Sequence, residues 1–317
     1  MQSEVSRPDI SVVVPVRDEA GTLEELAGRV ASVADAAGLA LVEILFVDDG
    51  STDGSWGVIA ALAAREARVR GLRLRRNFGK ATALDLGIRE SRGAVIVTMD
   101  ADLQDDPAEL PRFLAALTDD VDLVSGWKQK RQDPLGKTLP SRFFNWVTAR
   151  LSGVPLHDFN CGYKAYRREI FDSITLYGEL HRYVPVLAHG RGFRVAELPV
   201  RHHPRSYGRS KYGIERMAKG FLDLLTVLML SRFASRPGHL FGGLGLALGV
   251  VGFAILAYLS GLKLFTGAEI GERPLLLLGV MLAIIAVQVT LFGVLGELIV
   301  SRTAPRPSSA LIRERRG

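Results

Sequence analysis

The chain has 317 residues, 48% of them hydrophobic, with a mean hydropathy of +0.17 and a formal net charge of +6. Its one cysteine, Cys161, excludes a disulfide framework and suits a reducing compartment. The basic balance admits an anionic membrane or a nucleic acid as partner, but the basic residues flank apolar segments without an RNA-type aromatic motif, so a membrane is expected and nucleic acid is not.

Met1–Pro8 is polar, and Ile10–Val16 is short and broken by Pro15, so no secretory signal is expected. Ile10–Val14 reads as a buried strand, followed by Pro15-Val16-Arg17-Asp18-Glu19. Ala20–Gly38 has helical spacing, with Leu23, Leu26 and Val30 on one face. A second strand, Val42–Val47, runs into Asp48-Asp49-Gly50-Ser51-Thr52-Asp53-Gly54, and a helix over Val58–Ala67 follows. Next come a short strand, Leu72–Leu74, a polar loop, Asn77–Lys80, and a helix over Ala81–Ser91. Ala94–Thr98 is a fourth strand that ends in Asp100-Ala101-Asp102, and Pro107 opens a helical stretch.

Strands alternating with helices predict an α/β fold: a mostly parallel, twisted sheet with helices on both faces. The carboxyl ends of such strands share one edge, where open sheets hold their ligands. Arg17–Glu19, Asp48-Asp49 and Asp100/Asp102 should then face one cleft. No G-x-G-x-x-G follows the first strand, so a dinucleotide site is not expected. Two carboxylates one residue apart can reach one hard cation, and Gln104 can add a neutral oxygen. Mg2+ or Mn2+ suits such a set and bridges to a substrate's phosphates. Asp48 or Asp49 can accept hydrogen bonds from a base or ribose. Each acidic turn, taken singly, is equally well read as a solvated turn that caps a helix.

Asp122–Gly126 is another strand, and the cationic run Lys128–Arg131 follows it at the same edge, within reach of an anion. Leu139–Leu151 has Leu139, Phe143, Phe144, Val147 and Leu151 on one helical face, with Arg142, Asn145 and Arg150 away from it. It is either a core-facing helix or one lying in a membrane interface, with Phe143, Phe144 and Trp146 in lipid. His157 and His181 lack ligand-like spacing and are expected to be structural. Phe193–Val200 is a last strand, leading into the basic loop Arg201–Tyr212. Phe221–Leu230 is apolar but too short to span a bilayer of about 30 Å, which suits a second interfacial helix. His239–Leu262 and Pro274–Val300 each exceed the roughly 20 residues of a spanning helix. Arg232, Arg236 and His239 precede the first, and Arg302, Arg306, Arg313, Arg315 and Arg316 follow the second. The positive-inside rule then makes both flanks cytosolic and puts the loop Lys263–Arg273 outside. Glu297 is expected to snorkel or to pair.

VVVPVRDEAGTL, FVDDGSTDGS, RNFGKATALDLGI and VTMDADLQDDP, in this order and spacing, resemble the family-two glycosyltransferases of GT-A fold. The nearest group contains dolichyl-phosphate mannose synthases and bacterial polyprenyl-phosphate glucosyl- and aminosugar-transferases. The resemblance covers Ile10 to Tyr212. It implies that Pro15, Arg17 and Glu19 line the nucleotide, and that Asp48 or Asp49, preferably Asp49, holds the base. Arg17 stands where the family often has an aromatic residue. Asp100 and Asp102, with Gln104, would hold Mg2+ or Mn2+ on the donor diphosphate beside the Ala101 backbone. Arg142, with Lys128, Arg131 and Asn145, would meet the lipid phosphate. Asp158 would face the acceptor, as base or to position the nucleophile. Arg205 and Lys211, on an H-x-x-R-x-x-G-x-S-K-Y loop that closes over the donor, would neutralise the leaving group.

The resemblance therefore implies an inverting, metal-dependent enzyme that moves a hexose from a UDP- or GDP-sugar to a polyprenyl (undecaprenyl or dolichyl) phosphate at the cell membrane. Residues 1–212 would form the cytosolic catalytic domain, 213–236 an interfacial region, 237–301 two spanning helices, and 302–317 a basic cytosolic tail. Self-association as a homo-oligomer is compatible with this plan. A processive polysaccharide synthase would carry a Q-x-x-R-W motif, which is absent. A non-catalytic membrane subunit that recruits a partner glycosyltransferase or flippase is the other alternative, and the intact acid set speaks against it.

Overall fold

The computed structural model describes residues 8–129, 145–201, 237–271 and 273–303. The chain divides into two units, Met1–Val227 with Ser308–Gly317, and Leu228–Pro307.

The first unit is built on a seven-stranded sheet. Its strands are β1 (Ile10–Val16), β2 (Leu41–Asp48), β3 (Val69–Arg73), β4 (Val95–Thr98), β5 (Leu123–Trp127), β6 (Lys164–Arg167) and β7 (Val195–Pro199), in the order β3-β2-β1-β4-β6-β5-β7. β1, β2 and β4 are apolar almost throughout because helices cover both faces of the sheet. The pairs β1–β2, β1–β4, β2–β3 and β5–β7 are parallel, as the alternation predicts. β6 is the exception, antiparallel to both β4 and β5. Its sequence, KAYR, is too short and too charged to announce a buried strand. Position between two neighbours, not pattern, makes it one. β3 begins earlier than expected, at Val69, and its alternating charges suit an edge strand.

Among the described residues, six α-helices belong to this unit: α1 (Leu23–Ala36), α2 (Ser55–Arg65), α3 (Lys80–Glu90), α4 (Leu110–Ala116), α5 (145–152) and α6 (Val184–Gly190). α2 starts a turn before the expected Val58, because Asp53 accepts a hydrogen bond from the Ser55 amide at 2.9 Å. α5 corrects the expected face. Asn145 and Thr148 are buried, while Trp146 is 64% exposed and Leu151 is 42% exposed. Asn145 turns inward because its amide donates to the His157 carbonyl at 2.9 Å. Leu139–Phe144, Arg142 among them, lie outside the described residues.

The core runs from α1 through the sheet to Phe113 and Tyr163, whose rings stack at 4.5 Å. At the amino edge of the sheet, Glu43 is 1% exposed. It accepts from Ser11 Oγ at 2.7 Å and from the Arg92 amide at 2.5 Å, and it pairs with Arg70 at 2.5 Å. Burial disfavours the charged carboxylate, but the Ser11, Arg70 and Arg92 donors outweigh it and hold Glu43 below its ordinary value of 4.5. Its contribution is therefore complete above pH 4.5 and fades as pH falls through the lower folded-state value. Glu43→Gln is expected to cost about 2 kcal/mol at neutral pH and less in acid. Thermal unfolding of the detergent-solubilised chain at pH 7 and pH 4 checks this; an equal loss at both would contradict it.

The second unit is a pair of helices, α7 (Pro237–Thr266) and α8 (Pro274–Thr303). Gly238–Thr266 and Pro274–Ile299 are long and apolar enough to cross a membrane. Small residues bring them together: a methyl added at Gly252 would lie 2.9 Å from the Ala283 nitrogen and 3.0 Å from the Gly279 carbonyl. Of the two expectations for Glu297, pairing is the one observed. Its carboxylate accepts from the Gly238 amide at 3.0 Å, at the positive end of α7. The expected interfacial helix Phe221–Leu230 lies outside the described residues.

Candidate active site

Register brings the first two acidic turns together. Val16, the last residue of β1, pairs with Asp48, the last of β2. The Arg17 guanidinium donates to the Asp49 carbonyl at 2.6 Å and also to that of Gly50. Asp18 has a left-handed φ of 54°, a conformation costing about 1 kcal/mol or more outside glycine. Hydrogen bonds across the two turns hold it: its amide donates to Ser51 Oγ at 3.0 Å, and its carboxylate accepts from the Thr52 amide at 2.7 Å. The half-buried Glu19 is fixed through its amide, which donates to Ser55 Oγ at 2.9 Å. Asp48 accepts from the Ser51 amide at 2.8 Å and lies 3.5 Å from the Arg73 guanidinium. Both oxygens of Asp49 are engaged, by the amides of Phe78 at 2.7 Å and Gly79 at 2.9 Å. Asp49 thereby pins the loop that launches α3.

The third acidic turn lies at the end of β4. Leu103, just past Asp102, has a left-handed φ of 59°. Asp102 is 7% exposed and accepts from the Gln104 amide at 3.2 Å; Ala101 is 4% exposed. Asp100 pairs with the ammonium of Lys80, the first residue of α3. Burial opposes the charge on Asp100, but Lys80 and then Lys128 outweigh it and hold the carboxyl well below the usual range. A methyl added at Gly162 would lie 2.6 to 2.8 Å from the Asp100 carboxylate, so the absence of a side chain there makes room for it. Asp105, 2% exposed, accepts from the Asp100 amide at 3.3 Å and pairs with Lys128 at 3.2 Å.

Among the described residues, no three His, Cys, Asp or Glu side chains are grouped to hold a metal by themselves. Asp100 and Asp102 nevertheless fit a hard divalent cation of the kind that takes one or two carboxylates and completes its shell from water and substrate phosphates. Lys80 on Asp100 shows that this carboxylate is placed to accept a cationic partner.

Beyond Asp100 opens a cleft. Pro15 lines it as expected, with Lys80, Cys161, Lys164, His181 and Arg182. Lys164 is 2% exposed; burial lowers its pKa, and its ammonium donates to the Cys161 carbonyl. The Cys161 thiol is buried and pushed up to about 12 by desolvation, which makes it unreactive at neutral pH. His181, expected to be structural, lines the cleft as a buried ring, and desolvation with Lys80 nearby keeps it neutral. His157 differs: it stacks on Trp127 at 4.1 Å and pairs with Glu197 at 2.7 Å. Asp158, 1% exposed, accepts from the Asn160 amide at 3.0 Å, and its own amide donates to Glu197 at 3.0 Å. It shares a loop with Asn160, Cys161 and Gly162, all of which line the cleft.

Lys128 is occupied by Asp105; burial opposes its charge, but that carboxylate holds its ammonium above the usual range. Arg131, Arg142, Arg205 and Lys211 lie outside the described residues. Sequence reasoning misses Lys80, Asp105 and Arg182. Lys80 leaves one signal, because a lysine at a helix amino terminus opposes the helix dipole and needs an anion nearby.

Residues 11–175 match the family profile described as Glycosyl transferase family 2. The dodecaprenyl-phosphate galacturonate synthase of Rhizobium johnstonii is 40% identical over 302 residues, covering 92% of this chain and 87% of that protein. The undecaprenyl-phosphate 4-deoxy-4-formamido-L-arabinose transferase of Shewanella sediminis is 35% identical over 294 residues, covering 92% and 86%. Among solved structures, mannosyl-3-phosphoglycerate synthase from Rubrobacter xylanophilus superposes with a TM-score of 0.56 at 20% identity, covering 70% of this chain and 74% of that one. The Mycobacterium tuberculosis glucosyl-3-phosphoglycerate synthase complex with Mn2+ and UDP-glucose gives 0.52 at 19%, covering 70% and 78%. At these identities the structural likeness speaks to the fold alone.

Proposed function

Because the chain belongs to glycosyl transferase family 2, we propose that it is a membrane enzyme that moves a hexose from a UDP- or GDP-sugar to a polyprenyl phosphate, with inversion at the anomeric carbon. The observation that carries this is a carboxylate-edged cleft at the sheet's carboxyl end, in a chain that also has two helices long and apolar enough to cross a membrane. Relatives named for polyprenyl-phosphate substrates over nine-tenths of the chain supply the acceptor class.

In this reading, a phosphate oxygen of the lipid forms a bond to the anomeric carbon. The bond from that carbon to the donor's diphosphate oxygen breaks, and the electron pair leaves with the nucleoside diphosphate. A phosphate monoester has its second pKa near about 6 and is largely a dianion at neutral pH, so little deprotonation is needed. The protein's task is to bring two anions together. Pro15, Arg17, Glu19, Asp48 and Asp49 shape the nucleotide side, with Asp49 acting through the loop it pins. Asp100 and Asp102, with Gln104, would hold Mg2+ or Mn2+ beside the Ala101 backbone. When bound, that ion supplies positive charge to the departing diphosphate. Arg205 and Lys211 add to that charge from the loop after β7. Arg131 and Arg142 draw the lipid phosphate, Asp158 orients it, and Lys128, held by Asp105, backs this side from within. Asn145 supports this side by fixing the His157 backbone next to Asp158.

Both flanks of the α7–α8 hairpin are cytosolic. Residues 1–212 form the catalytic domain at the cytosolic leaflet, joined by the interfacial stretch 213–236 to the hairpin, with 302–317 as a basic tail. Arg142→Ala is expected to raise the KM for polyprenyl phosphate by about tenfold, the worth of one charge-assisted contact, with the donor KM unchanged. A defect confined to the donor would remove Arg142 from the acceptor side. The reading as a whole is tested by incubating membranes that contain the chain with polyprenyl phosphate and a panel of labelled UDP- and GDP-sugars, with Mg2+ or Mn2+ and with a chelator. A labelled lipid-linked monosaccharide that disappears with the chelator is expected. Label appearing only in polymer, or in no product, defeats the reading.

A further inference from the structure

Transfer to a lipid phosphate leaves the inner wall of the cleft unexplained. Three cationic side chains, Lys80, Lys164 and Arg182, meet there with one carboxylate, that of Asp100. Lys80 already pairs with Asp100, and Arg182 pairs with Glu179 at 2.5 Å. Lys164 has no carboxylate partner among the described residues; its ammonium reaches only the neutral Cys161 carbonyl, at 2% exposure. Asp158 and Asp100 act on this ammonium only through space, so a carboxylate seated directly on it would add the contact that the chain itself does not make. His181 adds an Nδ1 atom shielded from solvent with no hydrogen-bond partner among the described residues. The residue lines the same cleft, and in the tautomer protonated at Nδ1 it has a donor to offer.

The cleft is walled by the end of β4, Thr98 to Asp100, and by the Asn160–Gly162 loop. It lies behind the first aspartate of the pair that faces the donor's phosphates. Hydroxyl groups of a neutral sugar could accept hydrogen bonds from this wall but could not balance its charge.

We propose that the wall is a carboxylate subsite, so that the sugar transferred is a uronic acid, its carboxylate seated on Lys164 and Arg182 with His181 as a further donor. This rests on the nucleotide-sugar reading above and narrows it to an acidic donor.

The test uses the full chain in detergent with polyprenyl phosphate and matched donor pairs: UDP-galacturonate and UDP-galactose, UDP-glucuronate and UDP-glucose, GDP-mannuronate and GDP-mannose. At least one uronate is expected to exceed its neutral partner in kcat/KM by about tenfold or more, as a charge-assisted contact would give. Lys164→Gln should erase most of that ratio and Lys164→Arg should keep it, while inhibition by free UDP or GDP changes by less than about twofold. If Lys164→Gln weakens the free nucleotide as much as the uronate, the wall serves the diphosphate and the subsite is overturned. Neutral sugars transferred as well as, or better than, every uronate overturn the subsite but leave polyprenyl transfer standing. No lipid product from any of the six donors overturns both. The wild-type ratio needs no variant, so the test survives a Lys164→Gln chain that fails to fold.

Discussion

Asp102→Ala is expected to lower sugar transfer by about a thousandfold or more, the scale seen when charge stabilisation at a leaving group is removed. Asp102 is 7% exposed and accepts from the Gln104 amide, while Asp100 next to it already carries Lys80. Without Asp102, Asp100 alone cannot set a divalent ion against the donor's phosphates, since such ions need a fixed octahedral arrangement of oxygens. The fold should tolerate the change. Asp102 lies in a turn, not in the β1–β2–β4 core, and truncation there should cost no more than about 1–2 kcal/mol. Transfer assays and Mn2+ titration on the same purified variant decide it. Full activity without any compensating addition would end the two-aspartate account.

Asp158→Asn should lower kcat by about a hundredfold or more while leaving the donor KM within about twofold. The amide keeps an oxygen for the Asn160 hydrogen bond and removes the charge. The loop from Asn160 to Gly162 should therefore stay in place, and with it the space that Gly162 leaves for Asp100. Steady-state kinetics with donor and lipid varied separately check this. A change confined to the donor KM would make Asp158 a support for the donor side and not for the incoming phosphate.

Some of this was readable before any coordinates. A β-branched run ending in acids is a buried strand with its ligand edge marked, and that logic holds for Ile10–Val16, Leu41–Asp48 and Val95–Thr98. Two uniformly apolar stretches longer than a bilayer is thick are equally plain, because the signal lies in consecutive residues. The Asn145 face was misread because its side chain is drawn inward by a carbonyl twelve residues away, a partner that helical periodicity does not see.

The chain's local patterns determined the alternating sheet, the edge to which its acids run, and the apolar helix pair, since each depends on spacing within one element. Only the tertiary structure decided that β6 runs backwards between β4 and β5, that Asp49 holds the Phe78–Gly79 turn, and that Lys80, Lys164, His181 and Arg182 line one cleft with Asp100. Those facts depend on strand register and on which charge finds which counter-charge across tens of residues, and such choices are settled by the energy of the whole packed arrangement rather than by any one stretch.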